Sequence, residues 1–432
     1  MSSSIVLRNR DFRLLWSGNA ASQIGLQGAQ LAYPLLALIL TGSPISASLV
    51  GFAIALPSLI FEIPAGIAAD HWDRRLILMT CQRVGLVATL LAATVISTRP
   101  PGLPLLLAVA AFAEGTANVF FDTSELVLVR DVVTEKERTA AFSFLEAEQP
   151  IANFVGRTLG AATFGIARGL PFLANAGSYL YCLWTLSKIQ TRVPVKPEVA
   201  GSKPARMWDW NEARVGMASL RAEPFAWGAT TVLGATNAMF QVFIFLITLE
   251  VREGGHPAWT VGVVLGATGL GGLLGAVPAA KLAGRINPRS TLTGMLWVWS
   301  VLTVPIVLSS NPAVLAVCWM GVGFAAPIGN IPLILYRVRV FPQDLIGRIF
   351  GATKLITNGG TALGALLAGS LLSMLGIHTV GWALVAGMVL LARRARRLPD
   401  PLPRTLSLSP SALRTPATWI TRLAQNGLDE PR

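Results

Sequence analysis

The sequence predicts an all-α integral membrane protein with twelve transmembrane helices. Three observations carry that prediction: an apolar composition, a series of apolar runs of bilayer length, and basic residues confined to alternate connections. Of 432 residues, 53% are hydrophobic and only 13% charged, against about 25% charged in an ordinary soluble chain. A water-soluble fold could not hide so much apolar surface, because exposed patches beyond a few hundred Å² drive association. The bilayer is the solvent that suits this composition.

A span needs roughly 20 mainly apolar residues. Runs of that kind lie at 14–40, 46–69, 76–98, 103–128, 140–166, 170–188, 225–249, 258–283, 290–309, 312–336, 346–375 and 377–392. Arg8, Arg10 and Arg13 precede the first run in the manner of a signal peptide. That run outlasts a signal peptide's apolar core and lacks a cleavage signal, so a retained first helix is expected. Glu250, Arg252, Glu253 and His256 make a polar connection between the seventh and eighth spans. An even count puts both ends on one side.

Basic residues decide which side. The connections on the N-terminal side hold Arg74, Arg75, Arg130, Lys136, Arg138, Lys281, Arg285, Arg289, Arg337, Arg339, Arg348 and the Arg393–Arg397 cluster. The opposite connections hold only Arg99, Arg168 and Arg252. The positive-inside rule then expects cytoplasmic termini and a multi-pass protein of the plasma (inner) membrane. The net charge of +13 sits in short clusters flanking spans, which suits anionic lipid and argues against a nucleic-acid partner.

Residues 189–222 are polar and contain Pro194, Pro197 and Pro204. They read as a cytoplasmic linker between an N-terminal six-helix bundle (1–188) and a C-terminal one (223–397). Residues 398–432, rich in Pro, Ser, Thr and Arg, read as a flexible cytoplasmic tail. Within the tail, Trp419, Ile420 and Leu423 form a short amphipathic stretch.

The two halves repeat one another. SASLVGFAIALPSLIFEIPAGIAADHWDRR, ending at Arg75, aligns without gaps on TVGVVLGATGLGGLLGAVPAAKLAGRINPR, ending at Arg289. Pro64 falls on Pro278 and Ala69 on Ala283. TEKERTAAF (134–142) likewise matches PQDLIGRIF (342–350). Internal repeats in a polytopic membrane protein point to a secondary transporter with its substrate site at the repeat interface.

The segment GIAADHWDRR, Gly66 to Arg75, resembles the signature loop of the major facilitator superfamily: a Gly, an Asp four residues later, then a basic cluster. NRDFRLLWSG (Asn9 to Gly18), TGSP (Thr41 to Pro44) and the HWDRR form look like the branch that includes macrolide efflux proteins and the enterobactin exporter. The resemblance implies two pseudo-symmetric six-helix bundles. It also implies a cytoplasmic latch built from Gly66, Asp70, Arg74 and Arg75, and a central cavity lined by spans 1, 4, 7 and 10. His71 and Asp73 depart from the family's usual Arg and Gly. Ala111 stands where exporters carry an Arg, and Arg157 where they carry a Pro.

A charge at the bilayer centre costs at least roughly 2.5–3.5 kcal/mol, so each needs a partner or a purpose. The fourth span carries Glu114, Asn118 and Asp122 at four-residue spacing, and the fifth carries Glu146, Gln149, Asn153 and Arg157. At 1.5 Å per residue, Glu114 and Arg157 both lie roughly 25 Å up from the cytoplasmic end. An ion pair between them is expected, with Asp122 and Glu146 near one another at a lower level. Two carboxylates that close would make protonation accessible near neutral pH, so Asp122, Glu146, Glu114 and Arg157 are the proton-coupling candidates.

Gln23, Gln27, Gln30, Asn118, Asn153, Asn237, Phe240 and Gln241 are the substrate-cavity candidates, since a ligand site is largely apolar with few polar anchors. Gly156 with Gly160, and Gly266, Gly269, Gly272 and Gly275, have helix-packing spacing, expected where spans 5 and 8 meet.

Cys81, Cys182 and Cys318 lie far apart inside apolar runs, with neither disulfide nor metal spacing. No GxxxxGK[ST], HExxH, CxxC or GxSxG occurs, so no catalytic residue, metal or cofactor is expected, and no enzyme. The expected function is proton-coupled efflux of a small organic compound (drug, siderophore or natural product) by a monomer. Import on the same fold, or ligand sensing without transport, are the alternatives.

Overall fold

The computed structural model describes residues 8–98, 100, 102–135, 137–189, 210–282, 285–342 and 345–402. Among them the chain forms thirteen helices and no strand. The first six are α1 (Arg10–Thr41), α2 (Pro44–His71), α3 (Arg74–Thr98), α4 (Leu103–Val132), α5 (Arg138–Ile166) and α6 (Leu170–Lys188). A short helix, α7 (Trp210–Ala222), follows. The last six are α8 (Pro224–Glu253), α9 (Ala258–Leu282), α10 (Pro288–Leu308), α11 (Pro312–Val340), α12 (Ile346–Leu375) and α13 (Ile377–Arg396). Setting α7 aside, these are the twelve expected spans. Nine are long and apolar enough to cross a membrane by length and composition alone. The other three are the charge-bearing α5 and the short α6 and α13.

Helix boundaries follow local chemistry. Gly42 ends α1 in the left-handed region at φ 66°, and Ser43 caps α2 with Pro44 at its first position. The TGSP segment is therefore a helix stop followed by a helix start. Asn287–Pro288 and Asn311–Pro312 begin α10 and α11 in the same way. The outer surface is apolar, with Ile166 and Met374 79% and 82% exposed.

The repeat is visible in matching side-chain roles. Arg75, at the start of α3, donates to the Ser187 carbonyl at the end of α6, 2.9 Å away. Arg289, at the start of α10, donates to the Arg396 carbonyl at the end of α13. Each guanidinium satisfies an orphan carbonyl at a helix C-terminus and opposes its dipole. The bundles meet at two equivalent seams, α2 on α12 and α5 on α9.

The seams close on the side away from the termini. There a Cβ on Gly369 would meet the Pro44 carbonyl oxygen at 2.3 Å, and one on Gly262 the Ala161 Cβ at 2.1 Å. Contact continues to mid-depth, where Gly269 abuts Pro150 and Lys354 on α12 bridges Glu62 on α2. Nearer the termini, a Cβ on Gly66, Gly347 or Gly351 would meet nothing within 4 Å. At these three positions no close approach between the bundles is present.

Three expectations change. First, α4 and α5, adjacent in sequence, barely touch; α1 packs against both. Second, Gly156 and Gly160 face α1 rather than α9: a Cβ on Gly160 would stand 2.3 Å from the Gly28 Cα. Gly266 and Gly269 do meet α5, while Gly275 abuts Phe324 of α11. Third, the last part of the 189–222 connection is the helix α7, whose Gly216 lies against the Arg348 carbonyl of α12. Residues 398–402 are docked: Leu398 is buried against Gly228, and the Leu402 amide donates to the Tyr336 hydroxyl at 3.1 Å. The rest of the tail, with Trp419, Ile420 and Leu423, lies outside the described residues.

Gly160→Val should destabilise the protein by about 1–3 kcal/mol through overpacking of α5 on α1. Gly165→Val, at a position with open space around it, should be near neutral. Thermal melting of the two purified variants compares them directly.

Candidate functional site

Polar groups at membrane depth gather in three places. The first is a cavity of about 310 Å³ between the bundles. Its walls are mostly apolar, with Leu31 and Leu35 of α1, Ile54 of α2, and Ile244 and Phe245 of α8. Its polar groups include Gln30, Arg157, Gln241 and Asn358. Helices α1 and α8, the first and seventh spans, line it together with α2, α5, α9 and α12, while spans 4 and 10 contribute no lining residue. Arg157 reaches it from α5 and is held by Gln27, whose Oε1 lies 3.5 Å from Nε.

The second is a shallower depression between α1, α4 and α5, lined by Asn19, Gln23, Asp122, Glu125, Glu148 and Gln149. Asp122 is exposed to it and accepts from Gln23 Nε2 at 2.8 Å and from Asn118 Nδ2 at 3.2 Å. Glu125 is buried and accepts from Asn19 Nδ2 at 2.6 Å. Glu148 is buried too. Neither of its oxygens meets a hydrogen bond of good geometry among the described residues, although Asn19 is close by. Facing Asp122 from the opposite bundle is Lys354, 2.5 Å from Glu62.

The third is Glu114, enclosed within the N-terminal bundle. Its Oε1 accepts from Asn175 Nδ2 at 2.5 Å and from the Tyr179 hydroxyl at 2.6 Å, both on α6. The Tyr33 hydroxyl of α1 faces the same carboxyl.

The expected Glu114–Arg157 ion pair does not form. Steps of four residues drift about 40° each around a helix, so Glu114 points about 80° away from Asp122. That turns it toward α6, while α1 separates α4 from Arg157. The Glu146 side chain lies outside the described residues, so its expected approach to Asp122 has no observation here.

Among the cavity candidates, Gln30 and Gln241 line the central space and Gln27 holds Arg157. Gln23 and Asn118 serve Asp122 instead. Asn153 is half-buried on α5. Asn237 donates to the Thr357 carbonyl at 3.3 Å inside the C-terminal bundle. Phe240, half-buried, packs edge-on against Trp299 and Trp319, with ring centroids 4.6 and 5.6 Å away, and is not among the residues lining the cavity.

Of the latch residues, Arg74 is buried and pairs with Asp131 at 3.1 Å and with the Ala69 carbonyl at 2.9 Å, all within one bundle. Arg75 serves α6 and Gly66 has open space around it. The Asp70 side chain lies outside the described residues.

Sequence reasoning passed over Glu62, Glu125, Glu148, Lys354 and Tyr33. The signal was available: Glu125 follows Asp122 by three residues, and Lys354 is a lone lysine in an apolar run.

A family model described as Major Facilitator Superfamily matches residues 15–277 and 259–426. The multidrug efflux pump Tap of Mycolicibacterium fortuitum is 28% identical over 391 residues, covering 85% of this chain and 91% of the relative. The Tap pump of Mycobacterium tuberculosis is 26% identical over 411 residues, with 88% and 91% covered. Among solved structures, the nucleoside transporter NupG superposes with a TM-score of 0.69 at 14% identity, over 89% of this chain and 98% of that one. With twelve long helices in two matching halves around a central cavity, this chain belongs to the Major Facilitator Superfamily and is a multi-pass membrane transporter.

Proposed function

We propose that this transporter exports a small organic compound, such as a drug, siderophore or natural product, in exchange for protons. In this reading it works as a monomer in the plasma (inner) membrane with both termini cytoplasmic, as the distribution of basic residues favours. The halves before residue 189 and after residue 222 rock about the central cavity. The state described here, with its closest seam contacts on the side away from the termini, would load from the cytoplasm. Two curated relatives named multidrug efflux pumps support the outward direction.

One observation carries the proton coupling: a cluster of carboxylates beside the only charge pair that joins the two bundles among the described residues. Lys354 on α12 holds Glu62 on α2, and Asp122 on α4 draws on the same ammonium. Behind Asp122, Glu125 and Glu148 are desolvated together in one depression. Carboxylates so placed repel one another unless a proton neutralises one of them. A proton taken up there changes the field at Lys354 and thus the grip between the bundles. Glu114, sealed among Asn175, Tyr179 and Tyr33, has a structural role in this scheme.

Cells expressing the wild type should extrude a fluorescent dye, tried in neutral and anionic forms, in a manner abolished by a proton uncoupler. Asp122→Asn should lose most of the uncoupler-sensitive flux, while Glu114→Gln retains it. Wild-type flux indifferent to the uncoupler would refute proton coupling. A double-mutant cycle tests the bridge. Lys354→Glu and Glu62→Lys should each cut flux severalfold, and the charge-swapped double variant should recover a measurable part of the loss.

A further inference from the structure

Arg157 stands apart from the other charges at membrane depth. Its one hydrogen bond among the described residues is the long contact from Nε to Gln27. No ion pair within the described residues involves it. Glu114, its expected partner, is committed to α6. Asp122 and Glu125 are committed to Gln23 and Asn19 in the other depression. Among the described residues the two terminal nitrogens of the guanidinium therefore have no acceptor, and they do not count among the sealed polar atoms. They open into the cavity.

The rest of that cavity is neutral. Gln30, Gln241 and Asn358 offer amides, while Leu31, Leu35 and Phe245 offer apolar wall. A guanidinium facing such a space without a counter-charge is costly. The cost is recovered when an anion arrives to fill both free nitrogens, since a guanidinium fork matches a carboxylate or phosphate with two parallel hydrogen bonds. Gln27, with Oε1 3.5 Å from Nε, faces the fork from behind.

We propose that the central cavity takes organic anions, with the apolar body against α1, α2 and α8 and an acidic group, such as a carboxylate, on Arg157. This deepens the export reading by naming the substrate's charge class, and it rests on the cavity being the substrate site. A cationic substrate would meet Arg157 as a like charge across a mostly apolar space, where repulsion is weakly screened.

The test uses full-length protein in lipid nanodiscs and three probes with one aromatic body: an anthracene carboxylate, its methyl ester, and the matching anthracenylmethyl ammonium. Equilibrium dialysis, corrected with empty nanodiscs, reads each affinity from probe fluorescence. The wild type should bind the carboxylate at least roughly tenfold more tightly than the ester, the value of one charge-assisted hydrogen bond. It should bind the ammonium weakest. Arg157→Gln should bring the carboxylate-to-ester ratio to about one. Arg157→Lys, which keeps the charge and loses the fork, should leave an intermediate ratio, and it serves alone if the glutamine variant fails to fold.

An unchanged ratio in these variants, or an ammonium bound as tightly as the carboxylate by the wild type, would overturn the anion site. Dye extrusion and its uncoupler response report separately on export. A pump without carboxylate preference sinks only the anion site, and carboxylate binding without energised flux sinks only the export reading.

Discussion

Hydrocarbon gives a charge nothing to pair with, and the interior of this protein is organised around that fact. Its exposed large hydrophobic positions are mostly leucines and valines, with tryptophans among them, and the ionisable groups Glu114, Asp122 and Arg157 turn inward. Once turned inward they have two destinations. Glu114 shows the first: several donors from neighbouring helices close around the carboxyl and seal it. Asp122 and Arg157 show the second, facing space between helices where solvent or a solute can reach them. Sealed groups hold a bundle together, whereas open ones can respond to what enters.

Duplication of a six-helix unit supplies the remaining geometry. Arg75 and Arg289 perform one task in two places, each tying the start of one helix to the end of another. The equivalent seams of α2 on α12 and α5 on α9 follow from the same symmetry. Both are lined by small residues whose Cα atoms approach the opposing backbone, so the contact depends on shape rather than interlocking side chains. Such seams can part and re-form without a large repacking cost.

The helices, the repeat and the turn at Thr41–Pro44 were legible in the sequence because they rest on local rules: span length, capping chemistry and charge asymmetry. The partners of the buried charges were not. Pairing Glu114 with Arg157 assumed that consecutive antiparallel helices touch, and it compared depth alone. Helix rotation over eight residues and the insertion of α1 between α4 and α5 decide the outcome, and both depend on tertiary packing. Phe240 failed as a cavity residue for a related reason. The seventh span borders the cavity, but only the face bearing Gln241 and Phe245 looks into it, while the face bearing Phe240 meets two tryptophans. Lys354 and Glu62 join residues 292 positions apart, a separation no local pattern reports.

The helix α7 changes what the connection between the halves does. It lies against α12, the helix that presents Lys354 to the opposite bundle. The second part of the connection is therefore packed on the C-terminal half. Its anchor point is the same helix that packs on α2 across the seam. A load applied to this stretch from the aqueous side, by a bound protein or a modification, would act on α12 as a lever arm.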